Sequence, residues 1–128
     1  MQVFKYIIDA IPPSNNEFIG KDKHIAYQKA KKEWADTIGW LCRPRPAKPI
    51  SYAKVTLRYY FPNKKRRDPD NYSGKFILDG LTKMGIIEDD SFFHIRLNLE
   101  WGGIDSKHPH TEIIIEEFDE NNFCFETR

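Results

Sequence analysis

A chain of 128 residues suits one domain and leaves little room for a second. With 40% hydrophobic and 14% aromatic residues, it has the composition of a globular protein and not of a disordered one. The net charge of +1 hides an asymmetry: residues 1–85 carry 17 Lys and Arg against 8 Asp and Glu (+9), and residues 86–128 carry 3 against 11 (−8). Such a split suits a nucleic-acid-facing surface built from the first two-thirds, or opposite patches that pair within the fold or between subunits.

No apolar run approaches the roughly 20 residues that span a bilayer. The N-terminus lacks the basic, apolar and small-residue segments of a secretion signal. A cytoplasmic protein with no membrane partner is therefore expected. Cys42 and Cys124 form no CxxC pair, and the expectation is two reduced thiols.

Val3 to Ile8 is β-rich and is stopped by Pro12, Pro13 and the turn formers after them. From about His24 to Ile38 the period turns helical, with Tyr27, Ala30, Lys31, Trp34 and Ile38 recurring at three- and four-residue steps. Cys42 to Pro49, with three prolines, reads as a basic loop whose Arg43, Arg45 and Lys48 suit a phosphate backbone. Ser51 to Phe61 alternates Ala53, Val55, Leu57 and Tyr59 against Tyr52, Lys54, Thr56 and Arg58, a half-buried strand. Gly74 to Met84 reads as a helix with Ile77, Gly80, Leu81 and Met84 inward, ended by Gly85. Strands follow near Ile95–Trp101 and Thr111–Glu116, and residues 119–128 form an acidic tail expected to be weakly structured, although Phe123 and Phe125 suit docking. The order β-α-β-α-β-β implies an α+β fold, a mixed sheet packed by two helices, in a single domain.

The chemistry concentrates in the loop after the second strand, RRDPDNYSGK at residues 66–75. Pro69 drives Asp68 towards extended backbone, where residues two apart share a side, so Asp68 and Asp70 are expected to project together. Two carboxylates on one side repel unless one is protonated or a cation lies between them. Hard oxygen ligands suit Mg²⁺ or Mn²⁺, which also accept a phosphate oxygen. Lys64, Lys65, Arg66 and Arg67 would draw that phosphate in, and Asn71 with the next helix would support the carboxylates. The same residues also suit a plain turn whose Asx side chains cap a helix. An EF-hand is excluded, because counting from Asp68 puts Tyr72 at position 5, Ser73 at position 6 and Asp79 at position 12.

Lys75, Asp79 and Lys83 make an i, i+4, i+8 charged row. Lys83 reads as solvated, whereas Lys75, one turn from the carboxylates, is placed to counter charge growing on a phosphate. Taken locally, Asp89 and Asp90 read as a polar turn.

Three motifs together, PPSNN at 12–16, RRDPDN at 66–71 and DGLTKMGIIEDD at 79–90, resemble the RusA-type Holliday-junction resolvases, small endodeoxyribonucleases of bacteria and their phages. The resemblance implies a homodimer that binds four-way DNA junctions and, with Mg²⁺ or Mn²⁺, makes paired symmetrical nicks in recombination and repair. It implies catalytic and metal-binding roles for Asp68, Asp70 and Asp90, a catalytic role for Lys75 and a supporting one for Asp79. Asn15 and Asn16 are expected to donate to phosphate or to a metal's water. Four residues separate Asp70 from Lys75, one more than the family's usual three, and Gly74 is expected to absorb the extra one by delaying the helix. Phe92, Phe93, Trp101 and Phe118 are candidates for a dimer interface or for core. A nuclease for flaps or other branched DNA, a junction-binding module without catalysis and a metal-stabilised interaction domain are the rival readings.

Overall fold

A computed structural model describes residues 1–126, with side chains through Phe123. The elements are β1 (Val3–Ile8), α1 (His24–Leu41), β2 (Ala53–Phe61), α2 (Lys75–Lys83), β3 (Ile95–Ile104), β4 (His110–Glu117) and α3 (Glu120–Glu126), with 3-10 turns at Asn15–Phe18 and Pro69–Asn71. The strands form one mixed sheet in the order β1-β4-β2-β3. β4 lies antiparallel to both β1 and β2, whereas β2 and β3 are parallel and need α2 as their crossover. The mixed sheet and packed helices agree with the α+β expectation.

The alternation in β2 places Ala53, Val55, Leu57, Tyr59 and Phe61 on the buried face. In register they meet Ile115 and Ile113 of β4, which in turn face Phe4 and Tyr6 of β1. Ile38 of α1 and Ile77 and Leu81 of α2 close the core from the other side, each fully buried. Each such side chain contributes on the order of 1.5–3 kcal/mol. Gly80 lets the two helices touch: a β-carbon there would lie 2.9 Å from Cγ1 of Ile38 and 3.4 Å from the Ala35 backbone.

α1 departs from expectation in extent, continuing to Leu41 because nothing stops it before the Pro-rich loop. Cys42, just beyond, is a free buried thiol whose pKa burial pushes up to about 12. The acidic tail, expected to be weakly structured, instead carries α3. Phe123 anchors it, 3% exposed, its ring 5.1 Å from that of Tyr52 and its face under the Arg96 guanidinium at 4.2 Å. The side chains of Cys124 and Phe125 lie outside the described residues. Among the described residues, no helix is long and apolar enough to cross a membrane.

Candidate active site

Asp68 has the extended backbone that Pro69 demands, φ −101° and ψ 138°. The chain then tightens into the 3-10 turn, so Asp68 and Asp70 do not share the single extended segment expected of them. Backbone bonds hold that turn, Asn71 N–H to the Asp68 carbonyl and Tyr72 N–H to the Pro69 carbonyl, both 3.0 Å. The Asp68 side chain makes no capping bond. A turn is therefore present, yet the Asp68 carboxylate is not used to build it; among the described residues, Oδ1 accepts only from Nε of Arg66, at 3.2 Å.

The first asparagine motif reaches this loop. Nδ2 of Asn15 donates to the Asp70 carbonyl at 3.1 Å and to Oγ of Ser73 at 3.0 Å. An amide nitrogen has two donor hydrogens, and both are engaged. Asn15, expected from sequence to donate to phosphate, here spends both amide hydrogens on the loop. Asn16 remains exposed, on a polar depression of about 420 Å³ shared with Arg66, Asp68 and Asn71.

The basic run divides in the same way. Arg67 folds back, Nη1 to the carbonyls of Asn63 and Lys65 at 3.0 and 3.1 Å, Nη2 to Oδ1 of Asn63 at 3.0 Å, with its guanidinium 4.5 Å over the Phe61 ring. It organises the loop. Lys64, Lys65 and Arg66 are exposed. Arg45, expected to face phosphate, donates instead to the Gly39 carbonyl near the end of α1.

Gly74, expected from sequence to delay the helix, lies just before it. It is the left-handed residue before α2, φ +80° and ψ 20°. Lys75 opens the helix, with its ammonium 5.0 Å from the ring centre of Tyr27 on α1. Hydrogen bonding to Tyr27 raises its pKa, so it is a cation at neutral pH. Periodicity assigns Tyr27 to the inner face of α1 and no more; its proximity to Lys75 depends on helix packing that periodicity cannot report. One turn on, Asp79 lies 3.7 Å from Nζ of Lys31. Between α1 and α2 runs a groove of about 600 Å³ lined by Lys31, Lys32, Lys83 and Asp79.

Asp90 returns to α2. Partial burial lifts its carboxyl above the usual carboxylate range, and the charges of Asp79 and Asp89 add to the rise. Asp89 is instead held low, chiefly by a hydrogen bond from Ser91. Among the described residues, no three His, Cys, Asp or Glu side chains gather into a metal cluster, so Asp68, Asp70 and Asp90 do not form a ready-made cage. The donor chemistry nevertheless suits a hard cation. Magnesium ordinarily takes one or two carboxylates plus water and a substrate phosphate, and is not held in an all-protein cage.

An uncapped Asp68 on a cationic loop, beside a helix that starts with Lys75, is chemistry suited to a phosphodiester. The chain belongs to the endodeoxyribonuclease RusA family, whose model matches residues 8–116, from the end of β1 into β4. Membership makes it a nuclease by class, in a family that resolves Holliday junctions. No curated protein matches the chain.

Proposed function

We propose that this RusA-family nuclease cuts four-way DNA junctions by paired symmetrical nicks, acting as a cytoplasmic homodimer in recombination and repair with Mg²⁺ or Mn²⁺ as its metal. The observation that supports the reading is the bond from Asn15 to the Asp70 backbone carbonyl, which ties two motifs 55 residues apart together at the loop that carries Asp68 and Asp70. Asp68, Asp70 and Asp90 would hold the cation, which when bound polarises a phosphoryl oxygen and makes a water a better nucleophile. Lys64, Lys65, Arg66 and Asn16 neutralise and position the DNA backbone. Lys75, kept protonated beside Tyr27, offers positive charge to the phosphate as negative charge grows on it. Asn71 and Asp79 support the carboxylates and the lysine. Cleavage leaves a 5′-phosphate and a 3′-hydroxyl. Two nicks of matching position need two copies of the site, which is the reason for a dimer.

The absence of a three-carboxylate cluster among the described residues favours one second reading, a module that holds junctions without cutting. A labelled four-way junction incubated with the native protein and with Asp70→Asn separates them. Symmetrical nicks by the native protein, with bound and uncut junction for the variant, support resolution. Binding without nicks by both, in Mg²⁺ and in Mn²⁺, supports the module. Faster cutting of flap, duplex or RNA substrates would point to a nuclease of other specificity.

A further inference from the structure

Beside Asp68, the loop and strands β2 and β3 enclose a cavity of about 80 Å³ whose walls include Tyr59, Phe61, Tyr72 and Trp101. Tyr59, Phe61 and Tyr72 pack on one another, with ring centres 5.3 to 6.0 Å apart. Trp101 differs. It is 68% exposed on the edge strand, and the parallel register sets it opposite Tyr59. On its other side a second depression, about 150 Å³, is lined by Lys64 and Lys65 and shares Phe61, Arg67 and Trp101 with the first. Trp101 is thus a wall between an aromatic hollow at Asp68 and a lysine-lined one.

We infer that Trp101 and this hollow receive a single unstacked nucleobase of the strand whose phosphate lies at Asp68, with Lys64 and Lys65 on a neighbouring phosphate. The inference rests on the DNA-cleaving reading and assigns it a substrate contact. An aromatic face interleaved with cations along one track is the chemistry that holds single-stranded nucleic acid, because every base has a π-face and every link a negative charge. Size decides how the base is held. A cavity that takes benzene measures roughly 150 Å³, so about 80 Å³ admits only part of a base, leaving the rest against Trp101. At a branch point, where pairing partners change, unstacking a base is cheaper than within a duplex. Glu100 adds no carboxylate to the hollow, since its side chain is turned to the other face and bonded to Arg58 and Asn98. Arg67 and Asp68 also line the hollow, so stacking on Trp101 is joined there by the polar groups of the loop.

The test crosses Trp101→Ala with junctions carrying one abasic nucleotide at successive positions around the branch point, reading single-turnover nicking and binding. On the intact junction Trp101→Ala should lose roughly five- to a hundredfold, the range for one stacked base, and Trp101→Phe should keep most of the activity. At one abasic position the native protein should lose as much and Trp101→Ala nothing further. Losses that multiply at every position, or a Trp101→Ala protein that nicks like the native one, overturn the inference alone. So does a Trp101→Ala protein that sediments as a monomer where the native one is a dimer, since Trp101 would then touch a second copy. A native protein that binds no branched DNA overturns both the junction reading and this inference.

Discussion

Replacing Gly74 with alanine should cost the fold about 2–5 kcal/mol, the sum of a backbone and a packing penalty. At φ +80° an L side chain loses on the order of 1–2 kcal/mol. The new β-carbon would also lie 2.1 Å from Cδ1 of Leu57. Leu57 is fully buried, between Leu99 of β3 and Ile113 of β4, so its methyl has nowhere to go. Overpacking of that kind costs roughly 1–3 kcal/mol. Urea unfolding reads the sum as a lower midpoint at unchanged slope, a fall of about 1–2.5 M for a slope of about 2 kcal/mol/M. Gly85 supplies the control: its φ is +75° with nothing within 4 Å of a β-carbon, so Gly85→Ala should show the backbone part alone. A Gly74→Ala protein no less stable than Gly85→Ala would refute the packing argument.

Asn15→Ala removes both bonds to the Asp70 loop and should slow nicking about tenfold while junction affinity holds, measured as single-turnover rate against binding. Neutralising Lys64, Lys65 and Arg66 together should flatten the dependence of log affinity on log salt by about two to three, since each cation that meets a phosphate adds about one to that slope. Arg67→Ala should weaken the loop more than the salt slope, because three of its five donors are engaged by Asn63 and Lys65. Glu100 is held below the ordinary glutamate range, first by its bond from Arg58 and then by Asn98. That stabilisation is present above the unfolded value, about 4.3, and is lost as pH falls through the lower folded one. The gap in melting temperature between native and Arg58→Met should therefore be wide at pH 7 and close in acid; a gap independent of pH would exclude the ion pair as its source.

What sequence conveyed best was local. The alternation in β2 predicted its buried row because period two and burial are the same fact for a strand packed on one face. Pro69 foretold the extended Asp68, since a proline acts on the φ and ψ of the residue before it. What stayed hidden is long-range. The pairing of β1 with β4, the insertion of β4 between β1 and β2, and the reach of Asn15 to residue 70 depend on contacts between residues 50 to more than 100 apart. Arg67 and Lys64 look alike in a basic run, and only the folded loop shows the arginine bonded back to Asn63 and Lys65 and the lysine exposed. Trp101 gave no sign of its place beside Asp68, because the parallel register with Tyr59 is decided by the crossover through α2.

The close approach at Gly80 reaches further than the core. It brings α1 and α2 together at the base of the groove that carries Lys31, Lys32 and Lys83, so the gauge of that groove is set from beneath by the absence of one methyl. Surface substitutions can change how much charge the groove presents, but the spacing of that charge answers to an interior residue. The interval between those cations is thus set at Gly80, where no solvent-exposed substitution can reach it.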